Sequence, residues 1–170
     1  MIGHLTQCDF KVMPWANGRG QTVEMFRIER DGALLWRLSR AAVVEDGPFS
    51  VFPGIDRNLT VISGPGFDLV GGGQFVARPL QPIAFSGDLQ VRAVGVTAAC
   101  DDFNVMVRRG AMRATVEVCD TGRAAGQMVA LFALGSLRVG PVRAKRFDLV
   151  LTDAPIEFDG QAIVVSLTAE

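Results

Sequence analysis

The sequence predicts an all-β protein, a sandwich or barrel of short antiparallel strands. Nineteen Gly and eight Pro fall between short runs rich in Val, Ile, Leu and Phe, which is the punctuation of tight turns between strands. Several of these runs alternate apolar and polar residues, giving a strand one face for a core and one for solvent. Part of the pattern also recurs late in the chain. Pro82-Ile83-Ala84-Phe85-Ser86-Gly87 is echoed by Pro155-Ile156-Glu157-Phe158-Asp159-Gly160, each leading into a Val-rich strand. The expectation is two related β units packed as one body.

Taken in order, Thr22, Glu24, Phe26 and Ile28 share one face of a first strand, and 33–44 reads as a longer one. Asp46-Gly47-Pro48 and Phe52-Pro53-Gly54 bracket a compact loop, because Pro fixes φ and Gly accepts the positive φ that other residues resist. Further strands are expected over 59–63, 67–70, 89–94, 103–107 and 113–118, with Gly71-Gly72-Gly73 as a hairpin turn. A looser echo joins Val61-Ile62-Ser63-Gly64, before Phe67-Asp68-Leu69-Val70, to Leu131-Phe132-Ala133-Leu134-Gly135, before Leu137-Arg138-Val139.

A chain of 170 residues, 49% hydrophobic, is the size of one domain spanning 1–170. Seventeen Lys plus Arg against eighteen Asp plus Glu leave a net charge of −1, too little field to gather phosphate backbones or anionic lipid. Nucleic acid and membrane are therefore not expected partners; self-association into homo-oligomers is left open. Cys8, Cys100 and Cys119 are odd in number and widely spaced, so they read as reduced thiols. With no basic-then-apolar leader and no apolar stretch of about 18 residues, a cytoplasmic location is expected.

Metal-binding barrels need several His or carboxylate ligands at fixed spacing. The single histidine, His4, sits near the start of the chain and reads as an exposed terminal residue. No metal, no cofactor and no Ser-His-Asp or Cys-His catalytic set is expected. Asn17-Gly18-Arg19-Gly20 lacks the spacing of a phosphate-binding glycine loop. Arg108-Arg109 and Lys145-Arg146 read as solvated strand ends rather than an RNA surface. More informative is Trp36-Arg37-Leu38-Ser39-Arg40-Ala41, where alternation puts Arg37, Ser39 and Ala41 on one face. Inside a small barrel that face leaves room for a ligand, with a guanidinium to take a carboxylate; on the outside it is an ordinary polar strand. Glu24 is placed to oppose Arg37 from the neighbouring strand, as scaffold or as one side of a site. Asp56-Arg57, after the Phe52-Pro53-Gly54 turn, is a second charged constellation whose plainer role is loop bracing.

Four ordered blocks, Met13-Pro14-Trp15-Ala16-Asn17-Gly18-Arg19-Gly20-Gln21-Thr22-Val23-Glu24, Trp36-Arg37-Leu38-Ser39, Glu45-Asp46-Gly47-Pro48-Phe49-Ser50-Val51-Phe52-Pro53-Gly54-Ile55-Asp56-Arg57 and Asp102-Phe103-Asn104-Val105-Met106, resemble the signature blocks of the HutD/Ves family. The resemblance implies a cupin-like β-barrel, the RmlC-like jelly roll, with two related halves. It also implies an association with histidine utilisation or with environmental stress, and no established reaction. Two positions depart from the family pattern: Ala16 stands where Lys is usual and Arg19 where Gly is usual, which moves the positive charge of the first loop.

The resulting expectation is a metal-independent small-molecule binding protein, with an enzymatic role left open. Its role would be regulatory or flux-limiting in amino-acid catabolism, with histidine catabolism foremost, and its ligand a small carboxylate such as formylglutamate or urocanate. Arg37 and Arg57 are the expected anion contacts, Arg37 foremost, with Asn17, Thr22, Glu24 and Ser39 as polar neighbours. A rival is a metal-independent isomerase or lyase using Glu24 or Asp46 for proton transfer. A third reading, a stress-related structural protein without a ligand, requires a barrel filled by its own side chains.

Overall fold

The computed structural model describes residues 2–170, of which 64% of the chain is strand, with no α-helix among the described residues. The chain divides into two compact units, one formed by Lys11–Arg109 and one by Gly110–Glu170 together with the segment ending at Phe10. β1 (Ile2–Leu5) and a single 3₁₀ turn (Gln7–Asp9) begin the chain and belong to the latter unit.

The 11–109 unit holds β2 (Lys11–Pro14), β3 (Gln21–Arg30), β4 (Ala33–Val43), β5 (Gly47–Pro48), β6 (Ile55–Ser63), β7 (Phe67–Val70), β8 (Gln74–Ala77), β9 (Ile83–Ser86), β10 (Arg92–Val94) and β11 (Cys100–Arg108). One sheet runs β2-β3-β4-β11-β6-β9 and the other β5-β10-β7-β8, every pairing antiparallel. Leu59, Val61, Phe67, Leu69, Phe85 and Ala93 form its apolar core, drawn from the inward alternate positions of both sheets. The hairpin expected at Gly71-Gly72-Gly73 joins β7 to β8, and the strand expected over 89–94 begins only at Arg92.

One expectation for β3 is overturned. Glu24 lies opposite Ser39, yet Phe26 lies opposite Leu38, so an extra residue is inserted between them. A β-bulge of this kind breaks the two-residue period. Thr22 and Glu24 share a face, whereas Phe26 and Ile28 lie on the other, where Phe26 stacks on Trp36 with ring centroids 4.9 Å apart.

The second unit contains β12 (Met112–Ala124), β13 (Met128–Ala133), β14 (Leu137–Val139), β15 (Val142–Ala144), β16 (Leu149–Thr152) and β17 (Ile156–Ala169), in the order β1-β16-β13-β17-β14-β15 with β12 along β17. It repeats the pairing scheme of the first. β13 pairs with β16 and β17 as β6 pairs with β9 and β11, and β14 pairs with β15 and the start of β17 as β7 pairs with β8 and β10. The long β17 thus does the work of β10 and β11 in sequence. At the join, Gly160 adopts φ +116°, and a Cβ there would lie 2.2 Å from the Ser136 carbonyl oxygen, so only glycine fits.

The duplication is therefore real, but the stronger sequence echo misplaces it. Pro82–Gly87 contains β9, whose counterpart is β16, whereas Pro155–Gly160 holds the start of β17, whose counterpart is β10. In both segments a strand begins just after a proline, so local sequence resembles itself while the pairing partners differ. The looser echo of 61–70 with 131–139 joins β6–β7 to β13–β14, which do correspond. His4 is also not a loose terminal residue: it lies within β1, paired to β16, and its Nε2 is 2.9 Å from Asp148 Oδ2. Nor are the basic pairs simply solvated. Arg108 donates to the Leu34 carbonyl at 2.8 Å, Arg109 bridges Asp56 and Asp88, and Arg146 lies 4.4 Å over the Phe147 ring.

Candidate functional site

Alternation along β4 sends Arg37, Ser39 and Ala41 to one face, as the sequence indicated, and that face borders a cavity of about 670 Å³. On the adjacent strand β11, antiparallel register sets Met106, Asn104 and Asp102 opposite those three residues, and directly opposed residues point to the same face. β6 adds Arg57 opposite Met106, and β3 adds Thr22 opposite Ala41. The mouth is made by the β2–β3 loop, with Trp15, Asn17 and Arg19, and by the segment after β4 that carries Glu45, Asp46, Phe49, Ser50 and Phe52.

Five of the six expected site residues, Arg37, Arg57, Asn17, Thr22 and Ser39, line this one cavity; Glu24 does not. Glu24 lies behind Arg37, its Oε2 2.7 Å from Arg37 Nε and 3.8 Å from Arg27 Nη1. The Arg37 Nε–H is not aimed at that oxygen, so the contact is an ion pair without an aligned hydrogen bond. Of the proposed proton-transfer carboxylates, Asp46 does border the cavity, but its two oxygens accept the Val96 and Gly95 backbone N–H groups at 2.8 and 3.2 Å. Asp56 and Arg57 do not act together: alternation leaves Asp56 outside, bound to Arg109, and turns Arg57 inward.

Arg57 is 7% exposed. Its Nη1 donates to the Ser50 carbonyl at 3.3 Å and its Nη2 to Asn104 Oδ1 at 3.2 Å, both uncharged acceptors. The rings of Phe49, Phe52 and Phe85 surround the guanidinium with centroids 5.1–5.6 Å away, a stabilising but dry environment. Among the described residues no carboxylate lies within ion-pair distance of it. Burial accordingly pulls its pKa down to about 10, the neighbouring Arg37 charge acting in the same direction and Asp102 opposing it.

Asp102 and Asn104 are the residues that sequence reasoning did not place in the site, although both stand in a quoted block. Their signal was the same alternation used for β4, since Asp102, Asn104 and Met106 are spaced by two. Asn104 Nδ2 donates to Asp102 Oδ1, while Asp102 Oδ2 is buried with no hydrogen-bond partner. Burial pushes the Asp102 carboxyl up to about 7, against the Asn104 hydrogen bond and the Arg57 charge, with Asp101 adding to the rise. Over the mouth, Trp15 Nε1 donates to Thr22 Oγ1 at 2.9 Å, and its ring lies so close to Gly20 that a Cβ there would be 2.8 Å away. Arg19 in this loop pairs with Glu45. Among the described residues no three His, Cys, Asp or Glu side chains are grouped as a metal shell, and no helix is long and apolar enough to cross a membrane.

The HutD family model matches residues 7–167 of this chain. Protein Ves of Cronobacter sakazakii (strain ATCC BAA-894) is 39% identical over 131 residues, covering 71% of this chain and 72% of the relative. An uncharacterized 21.2 kDa protein in the hutC 3' region of Pseudomonas putida is 40% identical over 136 residues, 75% of this chain and 71% of its own. Among solved structures, HutD from Pseudomonas fluorescens SBW25 matches with a TM-score of 0.91 and 32% identity over all of both chains. Protein Ylba from E. coli, at 10% identity and a TM-score of 0.68 over 99% of this chain and 90% of that one, shares the fold alone. The all-β fold expected from the sequence holds, and it is shared over the full chain with HutD.

Proposed function

Because the chain belongs to the HutD family, we propose that it is a small-molecule binding protein whose cavity takes a small carboxylate without a metal. Binding then serves a regulatory or flux-limiting role in amino-acid catabolism, histidine breakdown in particular. The observation that carries this reading is Arg57: a desolvated cation on the cavity wall, held by neutral acceptors and aromatic rings, with no carboxylate of its own. A buried charge in that condition is costly until an anion reaches it. Arg37 already has Glu24, so Arg57 ranks ahead of it as the anion contact, with Asn17, Thr22 and Ser39 as polar neighbours. The pathway assignment rests on relatives named for the histidine-utilisation locus. The three free cysteines fit action in the reducing cytoplasm, where intermediates of amino-acid breakdown are made.

Calorimetric titration with formylglutamate, urocanate and glutamate tests the reading. Wild type is expected to bind at least one of the three. Arg57→Ala should weaken that binding by about 2 kcal/mol or more, as for a desolvated charge-assisted contact, and Arg37→Ala should weaken it less. Absence of heat from all three with wild-type protein overturns the carboxylate reading. Elemental analysis of untagged protein should find no stoichiometric transition metal, and binding should survive a chelator; one bound metal per chain would remove the metal-independent part.

A further inference from the structure

We infer that Asp102, backed by Asn104, is a second recognition group of this cavity, selecting small carboxylates that also carry an N–H group over carboxylates of the same shape that lack one. The inference rests on the carboxylate reading above and adds the specificity to it. Asp102 lines the cavity, is 1% exposed, and spends one carboxyl oxygen on Asn104 Nδ2, while the other has no partner. Asn104 completes the link by accepting from Arg57 with its Oδ1. The anion contact and the orphaned oxygen are thus the two ends of one Arg57–Asn104–Asp102 row.

A buried polar atom left unsatisfied costs free energy that a ligand group recovers by filling it. The groups facing Asp102 decide what that ligand group is. From β6 comes Arg57 and from β4 comes Arg37, both on the cavity wall; along β11 itself stand Asn104 and the Asp101 carboxylate. Across β11 the directly opposed residues are Ala41 and Val61, which offer no donor. Among the described residues no group donates to Oδ2, and its place on the cavity wall opens it to a donor on a ligand. An amide or ring N–H donates to it when Asp102 is ionised, whereas a ketone or second carboxylate brings acceptors alone and finds a partner only when Asp102 is protonated. The carboxyl changes state at about 7, so the preference for an N–H ligand grows as pH rises through neutrality, and an acceptor-only ligand is favoured below it.

N-acetylglycine and levulinate isolate the effect, because they differ only in an N–H where the other has a methylene. Their binding to the full chain is followed by backbone amide NMR shifts, which report millimolar affinities. At pH 8 wild type should bind N-acetylglycine at least about tenfold more tightly than levulinate, the factor expected when a site built for a hydrogen bond meets an analogue lacking it. The ratio should shrink by pH 6. Asp102→Val, which replaces the carboxyl with an apolar side chain, should bring the ratio close to one. Asp102→Asn should hold whatever ratio it has constant between pH 6 and 8. Equal affinities of the two probes for wild type at pH 8, or a wild-type ratio carried unchanged into Asp102→Val, overturn the role of Asp102 while leaving the carboxylate reading standing. Failure of both probes at every pH overturns both.

Discussion

In the 11–109 unit the strand at the centre of the larger sheet, β11, turns Asp102 and Asn104 towards a cavity, whereas its counterpart in the other unit, the later part of β17, places Ala162 and Val164 in an apolar core with Leu131, Ala133 and Val150. The pairing scheme is the same, while the chemistry at these inward positions is opposite. A strand plan specified by backbone hydrogen bonds and two-residue alternation accepts either filling, so function is written into a few inward positions without altering the fold. In one unit those positions maximise packing. In the other they hold Arg37, Arg57, Asp102 and Asn104 at less than a tenth exposure, which sacrifices apolar burial for polar side chains ready to meet a ligand.

The comparison breaks most severely if the packed unit is given the chemistry of the other. Leu131 is fully buried, and Leu131→Asp should cost about 4 kcal/mol or more, since a carboxylate would enter a core with nothing to receive it. Urea denaturation measures this, and a loss below about 1 kcal/mol would mean that the second unit tolerates polar interiors as well.

A smaller effect, with a defined pH dependence, is expected at Asp102. Its pKa is near 4 in an unfolded chain and about 7 when folded. Between those values the folded state holds the proton more tightly, so this group contributes stability that is full below about 4 and lost as pH rises through about 7. The loss is on the order of a few kcal/mol. Asp88 runs the other way: hydrogen bonds from Arg109, Gly54 and Ser86 hold it down at about 2, so its contribution is present above about 4 and disappears on acidification. Stability measured from pH 4 to 8 should therefore rise for Asp102→Asn relative to wild type as pH increases, and a pH-independent difference would remove the buried acid from the account.

The smallest effect concerns His4. Its contact with Asp148 is partly exposed, and Asp148 also accepts the Lys145 N–H at 2.9 Å, so His4→Ala should lower stability by less than about 1 kcal/mol. A larger loss would show that β1 depends on this pair and not on its ladder with β16.

Much of this was legible from short-range pattern. The polar face of β4 and the Gly71-Gly72-Gly73 hairpin follow from local alternation and turn chemistry. What escaped depends on pairing between distant segments. That Asp102 stands opposite Ala41, that Glu24 sits behind Arg37 rather than on the cavity wall, and that 155–160 corresponds to β10 rather than β9 are facts of register. Two short strands can share residues and differ in neighbours. Asp102 was the recoverable omission, since its spacing to Asn104 and Met106 carried the same signal that singled out Arg37 and Ser39.

The inserted residue in β3 makes chain length itself a determinant of this site. Even-numbered side chains face inward as far as Glu24, and Phe26 and Ile28, also even, face away. A one-residue insertion or deletion between Glu24 and Phe26 would act as a frameshift acts on a message: no other side chain is chemically altered, yet one arm of the strand exchanges its inner and outer alphabets. Either Phe26 would be driven toward the cavity and its stack on Trp36 lost, or Thr22 would be withdrawn from beneath Trp15. In relatives, a change of length at this point is a larger event than any single substitution in the strand, and an alignment that slides across it without a gap pairs residues of opposite purpose.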